Sequence, residues 1–333
     1  MARPSIRIVI AGLPIAVTAV ILALLPPIWL DDSTYYTGLA VEALVFACYG
    51  VGFNLIFGST HQLFLCVGAL AGVGGYGTAV LANSASFPLA LGVVVATASA
   101  AIVGGLLSWI AVHRSLDVIF TGIVTLVFAL AFDNLLIGKR GLTGGDTGLV
   151  LKGAAVDLAD NRIGGYYLFA GLLLAFLIIF RALQLSRSGW AFRALRDDEL
   201  AAELAGVDVA RYRIVAAVVG SAMIGLAGAL NAYSSAYISP STYGFSRVDV
   251  SVLVIVAFGG LGMLLAPVLG ATAFAVFDEA VASSGQLREV FYGAFIIAIF
   301  LGFRRGVAAT AVDLVRRLTG RRRIEPALPP PAD

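Results

Sequence analysis

The sequence predicts an all-α polytopic membrane protein of about ten transmembrane helices with both termini cytosolic, and three observations predict it. Of the 333 residues, 60% are hydrophobic and only 13% are charged. A soluble domain carries about 25% charged residues, and a chain this apolar lacks the polar groups to cover a surface in water. Apolar segments recur at the length needed to cross a hydrocarbon layer of about 30 Å, roughly 20 residues each. The basic residues are also divided unequally between alternate connections, which is the mark of a threaded membrane chain.

The ten segments fall at 8–30, 36–57, 62–82, 87–112, 118–137, 164–183, 212–234, 248–265, 268–282 and 290–303. Arg3 and Arg7 precede the first, which gives it the outline of a secretory signal. Its apolar stretch exceeds the roughly 7–15 residues of a signal core and no small-x-small site precedes Asp31, so a retained first helix is expected. Cys48 and Cys66 fall inside the second and third segments and read as small buried apolar side chains. Glycines cluster at Gly68, Gly72, Gly74, Gly75 and Gly77, at Gly220, Gly225 and Gly228, and at Gly259, Gly260 and Gly262. Small residues let transmembrane helices approach closely, so packing is the expected role of most of them. The last cluster, followed by Pro267, suits a broken helix or a tight turn. The final two segments are short and fit a tilted or partly re-entrant path. The permease portion so defined covers 1–303, and 304–333 forms an amphipathic and then Pro-rich tail.

With the N-terminus placed in the cytosol, alternation sends 16 of the 22 basic residues to the cytosolic side. The other six are Lys139, Arg140, Lys152, Arg162, Arg247 and Arg288. An even number of spans with both ends inside follows. The run Arg321–Arg323 then serves topology and attraction to the lipid bilayer, with no role in nucleic-acid binding.

Two connections are long. The outer loop, 138–165, contains Gly-Leu-Thr-Gly-Gly-Asp-Thr-Gly at 141–148. Thr143, Gly144 and Gly145 there, with Pro240 in the next outer connection, are expected to shape an outer vestibule. Glycines that adopt positive φ can turn amides toward a common point and attract a carboxylate; a tight turn without a ligand fits the same residues. The inner loop, 184–211, is rich in Ala, Leu, Arg and Glu and is expected to be one charged helix over 189–206, ended by Gly206. It presents Arg193, Arg196, Asp197, Asp198, Glu199 and Glu203, and suits either a partner protein or a bed on the membrane surface.

Acids inside spans are costly and often functional. Glu42, Asp278 and Glu279 are candidates for the translocation path, as are Asn54 and His61; Asp133 and Asp249 are expected at outer helix ends, in reach of water. No Gly-x4-Gly-Lys-Ser/Thr loop occurs, so ATP hydrolysis by the P-loop route belongs elsewhere. No catalytic set or metal-ligand spacing stands out, and the chain is expected to bind no cofactor and to be no enzyme.

A set of short pieces occurs in order along nearly the whole chain: Asn54-Leu55 with Gly58, Gly74-Gly75-Tyr76, Thr125-Leu126 with Phe128, and Leu142-Thr143-Gly144-Gly145. Ala194-Leu195-Arg196-Asp197-Asp198-Glu199, Gly206-Val207, Arg211-Tyr212, Gly225 to Leu230, Ile238-Ser239-Pro240 and Gly259-Gly260-Leu261-Gly262 with Pro267 continue it. In these the chain resembles the M-type permease subunit of branched-chain amino-acid ABC importers. The resemblance implies a homologous second permease subunit, two cytosolic ATPase subunits that hydrolyse the ATP, an extracytoplasmic solute-binding protein and a place in the inner (plasma) membrane. It also implies that the inner loop is the coupling element seated on an ATPase. The chain departs from the family pattern at His61, Phe64, Cys66 and Ala266, which leaves open a different small organic or amide substrate. A stand-alone secondary transporter is the rival reading; it predicts inverted repeats, and no clear repeat is visible.

The charge asymmetry predicts that a reporter fused after Arg323, or between Arg187 and Arg193, reads as cytosolic, and that a tag within 141–148 is labelled from outside. Protection of that outer tag in intact cells would rule out the ten-span arrangement.

Overall fold

The computed structural model describes residues 14–24, 34–83, 88–151 and 162–282, together with positions 290, 291, 293, 294 and 297. In chain order the elements are α1 (Pro14–Leu24), α2 (Thr34–Thr60), α3 (Val67–Asn83), α4 (Leu89–His113), α5 (Val118–Gly138) and α6 (Arg140–Thr143). A 3-10 turn (Gly145–Thr147), β1 (Leu149–Val150), α7 (Arg162–Leu185), α8 (Arg187–Asp197) and α9 (Glu199–Leu204) follow. The chain continues as α10 (Val209–Ser235), β2 (Tyr237–Ile238), α11 (Pro240–Tyr243), α12 (Phe245–Gly259) and α13 (Ala266–Ala282).

Among the described residues six stretches are long and apolar enough to cross a membrane: Tyr35–Thr60, Leu89–His113, Val118–Gly138, Ile163–Leu185, Val209–Ser235 and Pro240–Gly259. The segments expected at 8–30, 62–82 and 268–282 contain the shorter helices α1, α3 and α13. Of the expected span at 290–303 only positions 290, 291, 293, 294 and 297 are described, and the tail at 304–333 and both termini lie outside the described residues entirely.

The central helix is α2, buried along most of its length and packed against α7, α10, α12 and α13. In turn α10 packs against α2, α3 and α4. Glycine makes these approaches possible. A Cβ on Gly52 would lie 2.8 Å from the carbonyl oxygen of Gly220, and one on Gly220 would lie 2.7 Å from that of Gly52. Between α3 and α10, Cβ atoms on Gly74 and Gly228 would collide with the carbonyls of Gly225 and Ala71. Backbones this close gain dispersion contact where the hydrophobic effect offers no preference between helix and lipid.

The apolar surface faces outward. Ile102 and Trp109 on α4, and Ile119, Phe120 and Val127 on α5, are all more than half exposed. Large apolar side chains on the outside of a close-packed helical bundle belong in hydrocarbon, so the chain is a multi-pass membrane protein. Cys48 and Cys66 are both wholly buried and unpaired, as their apolar setting predicted.

The third segment departs from expectation. It does not run as one helix from residue 62: residues 61–66 have no regular secondary structure and α3 starts at Val67. This non-helical stretch is bonded to its neighbours. The Leu65 amide donates to Thr125 Oγ1 at 2.9 Å, seven residues or about 10 Å along α5. Ser108 Oγ of α4 donates to Gln62 Oε1 at 2.9 Å. Asp249 of α12 accepts from the Val67 amide at 2.5 Å and from the Gly68 amide at 3.2 Å, so it caps the start of α3 from another helix. Asp249 is therefore 2% exposed and deep in the bundle, which corrects its expected position in water at a helix end. The two amides at the positive end of a helix offset part of the cost of burying this side chain. The span expected at 248–265 also ends early: α12 stops at Gly259, and 260–265 form a turn in which Gly260 (φ 109°) and Gly262 (φ 75°) take left-handed conformations. The glycine and proline cluster thus marks a tight turn, one of the two forms expected of it.

Replacing Asp249 with Ala leaves both α3 amides without an acceptor, at about 1–3 kcal/mol each. The thermal midpoint of the purified protein in detergent is expected to fall by several degrees, while Asp197→Ala, on an exposed loop helix, leaves it in place. Equal midpoints for the two variants would show that the α3 amides find other acceptors.

Candidate functional site

The residues singled out in the sequence gather at two ends of the bundle. At the end holding the loop after α5, the chain turns through α6 and the 3-10 turn into β1, which pairs antiparallel with β2 in the register Leu149↔Ile238 and Val150↔Tyr237. The two connections predicted to form one vestibule are thus joined into a clasp. Tyr237 Oη donates to the Thr147 carbonyl at 3.0 Å, and the Leu151 amide to the Ala236 carbonyl at 2.8 Å. Gly144, Gly145 and Gly148 have φ of 73°, 58° and 70°, as the turn reading required. Their amides are consumed locally: Gly144 donates to the Arg140 carbonyl, Gly145 to Thr143 Oγ1 and Gly148 to the Gly145 carbonyl. These three amides form a folded turn and offer no nest for a carboxylate. Thr143, 8% exposed, closes the turn by donating to the Leu136 and Lys139 carbonyls. Pro240 is the first residue of α11, where its fixed φ starts a helix. Tyr243 follows, 1% exposed, donating to the Gly228 carbonyl at 3.2 Å and seating against Gly68 and Gly75.

Beside this clasp lies a cleft of about 220 Å³ lined by Gly38, Val41, Glu42, Val45, Phe46 and Tyr49 of α2, Asn231 and Ser235 of α10, Thr242 of α11, and Arg247 and Val248 of α12. Glu42 Oε1 and Arg247 Nη2 are 2.8 Å apart, with both side chains about half exposed. Asp278 of α13 shares a smaller cavity with Glu42, and Glu279 accepts from the Tyr35 hydroxyl at 2.7 Å. The structure thus brings Glu42, Asp278 and Glu279 to the same end as Pro240. Sequence reasoning counted Arg247 only toward topology; its isolation at the start of an apolar segment was the available signal.

Asn54 and His61 belong to the other end. Asn54 is 1% exposed and clamps the 260–265 turn, donating to the Met263 carbonyl at 2.9 Å and accepting from the Gly262 amide at 2.8 Å. His61 is exposed just past α2. Partial burial, with Arg196 and Arg213 nearby, pushes its imidazole below the ordinary value. Phe64 and Cys66, two departures from the expected pattern, are wholly buried and line no described cavity.

The inner loop is two helices where one was expected. It breaks at Asp198, whose extended backbone (φ −160°) ends α8 while its carboxylate accepts from the Ala201 amide at 3.0 Å to cap α9. An Asp at an N-cap competes with helix continuation, which explains the break. Gly206 (φ 83°) follows α9, with its amide bonded to the Glu203 carbonyl and Val207 to the Ala202 carbonyl, so its role as terminator stands. Phe192 and Leu195 are buried against the bundle. Glu199 forms an ion pair with Arg213 at 2.7 Å and so is tied to the start of α10. Arg193 folds back to the Gly189 and Gln184 carbonyls, and the Arg196 guanidinium lies against Gly262. Asp197 and Glu203 remain exposed, and beside them Leu200 and Leu204 are 67% and 82% exposed, four residues apart on α9.

A multi-pass helical bundle with a clasped cleft at one end and a folded, partly apolar projection at the other has the form of a transport permease. Residues 35–300 match the family described as branched-chain amino acid transport system / permease component, and the chain belongs to that family. It is 26% identical over 317 residues to LivM of Escherichia coli (strain K12), a high-affinity branched-chain amino acid transport system permease protein, covering 87% of this chain and 73% of that one. It is likewise 26% identical over 295 residues to LivM of Salmonella typhimurium, covering 81% and 69%. No solved structure matches the chain.

Proposed function

We propose that this permease forms half of the path of an ATP-driven importer for branched-chain or related hydrophobic amino acids in the inner (plasma) membrane. A homologous permease supplies the other half, two ATPase subunits bind at the 184–211 face in the cytosol and hydrolyse the ATP, and a solute-binding protein delivers substrate at the clasped end. The chain itself binds no cofactor. The observation that carries the coupling reading is the α8–α9 projection. Its exposed Leu200 and Leu204, flanked by Asp197 and Glu203, offer a partner an apolar anchor with a charged rim. Arg193, Arg196, Asp198, Glu199 and Gly206 serve this surface indirectly, by fastening, capping and ending the two helices. A secondary transporter would have no use for such a projection.

The cleft at Glu42 and Arg247 suits a zwitterion. A carboxylate for an ammonium group and a guanidinium fork for a carboxylate lie beside Val41, Val45, Phe46 and Val248, which suit an aliphatic side chain. An exposed ion pair is worth about 0–1 kcal/mol, so a substrate can open it at little cost. Asp278 and Glu279 add negative charge near the ammonium end. The vestibule formed by Thr143, Gly144, Gly145 and Pro240 holds the mouth in shape, and the clamp at Asn54 with His61 beyond it marks the cytosolic exit.

Two experiments test the two halves of this reading. Asp197→Arg with Glu203→Arg disturbs no side-chain hydrogen bond among the described residues, yet it should abolish co-purification of the ATPases and stop uptake, since opposed like charges across an interface cost several kcal/mol. Normal ATPase recovery and uptake would sink the coupling assignment. In the intact transporter, Glu42→Gln and Arg247→Gln should each weaken the apparent affinity for leucine by about tenfold or more, the worth of a charged hydrogen bond. Unaltered uptake kinetics in both would remove the cleft from the path.

A further inference from the structure

A second cavity, of about 300 Å³, opens where α7 passes into α8. Three arginines converge on it: Arg181 from α7, and Arg193 and Arg196 from α8. Among the described residues the only two ion pairs are Arg213–Glu199 and Arg247–Glu42, so none of the three has a carboxylate partner, and no acidic residue lines the cavity. Three like charges around one hollow repel one another, and an anion between them reverses that cost. Their donors are only partly used. Arg181 gives Nη1 to Gln184 Oε1 at 3.2 Å, while its Nε is buried with no hydrogen-bond partner. Arg193 gives Nε to the Gly189 carbonyl and Nη2 to the Gln184 carbonyl, which leaves Nη1. The Arg196 side chain makes no hydrogen bond among the described residues.

The rim of the cavity is apolar. Leu183, Leu185 and Phe192 line it, Leu185 is 58% exposed, and Trp190, 71% exposed, stacks under Arg193 with the guanidinium carbon 4.7 Å from its ring centroid. An exposed Trp beside an exposed Leu, at the end of a spanning helix, marks the boundary between headgroups and acyl chains. Guanidinium forks match phosphate oxygens, and a basic hollow between helix ends at that boundary accepts a lipid headgroup.

We propose that Arg181, Arg193 and Arg196 form a binding site for the phosphate of an anionic phospholipid from the leaflet at the α8–α9 face. The phosphate bridges α7 to α8, and the acyl chains lie along Leu185 and Trp190. This site does not depend on what the permease carries or on which partner docks at α9.

The test uses the full chain purified in detergent and relipidated with phosphatidylglycerol, phosphatidylcholine or inorganic phosphate, with retained lipid read by native mass spectrometry and the thermal midpoint read in parallel. The wild-type chain should retain phosphatidylglycerol about tenfold over phosphatidylcholine and gain thermal stability from it, while inorganic phosphate at the same concentration gives no shift. Arg181→Gln with Arg196→Gln should erase the preference; Arg181→Lys with Arg196→Lys should keep part of it, which separates loss of charge from loss of fold. Equal retention of the two lipids by the wild type overturns the proposal. So does a matching shift with inorganic phosphate, which would make the site one for a soluble anion. A Gln variant that keeps its lipid preference but loses its ATPase partner would assign the arginines to a protein carboxylate and overturn it as well.

Discussion

The fold depends on the demand that every backbone amide inside hydrocarbon find a partner within the protein. A continuous helix meets that demand by itself; the stretch from 61 to 66 does not. Its neighbours supply part of what a helix would have supplied: Thr125 bonds Leu65, and Asp249 takes the first two amides of α3. Starting α3 at Val67 places Gly68, Gly72 and Gly75 under Tyr243, and Tyr243 ties α11 to α3 and α10. The position of the clasp, and of the cleft beside it, follows from that chain of contacts.

The second organising feature is the division of labour between small and large residues. Glycine occurs where two backbones must touch, as at Gly52 with Gly220 and Gly74 with Gly225, while large apolar side chains fill the spaces between the helices and also cover the outside. The chain is therefore close-packed inside and apolar outside, unlike a water-soluble domain. The two ends differ in kind. One is closed by a two-stranded clasp around a cleft with an ion pair; the other carries a short helical projection with exposed leucines and, behind it, a basic hollow.

Much of this was legible in the sequence. Length and hydropathy located most of the spans, the ordered motifs identified the family, and the glycine clusters foretold close packing and the turn at 260–265. What could not be read were places where a distant residue overrides a local pattern. Residues 61–66 are apolar enough to extend a helix, and only Thr125 and Asp249 reveal why they do not. Asp198 sits in a run of helix formers, and its capping of α9 breaks a pattern that composition favours as one helix. Charge counting treated Arg247, Arg193 and Arg196 alike, as tokens of sidedness. The structure separates them: Arg247 faces Glu42 across a cleft, whereas the other two turn back toward the bundle.

The pairing of Asp249 with Val67 has a consequence for biogenesis. The two residues are 182 positions apart in the chain. At about 5–20 residues per second, synthesis of that interval takes roughly 9–36 s, and throughout it the start of α3 has no carboxylate to receive its amides. During those seconds the half-made chain must shelter these groups in the translocon or at the water boundary. The contact that fixes the start of the third segment therefore forms late, once α12 has been made.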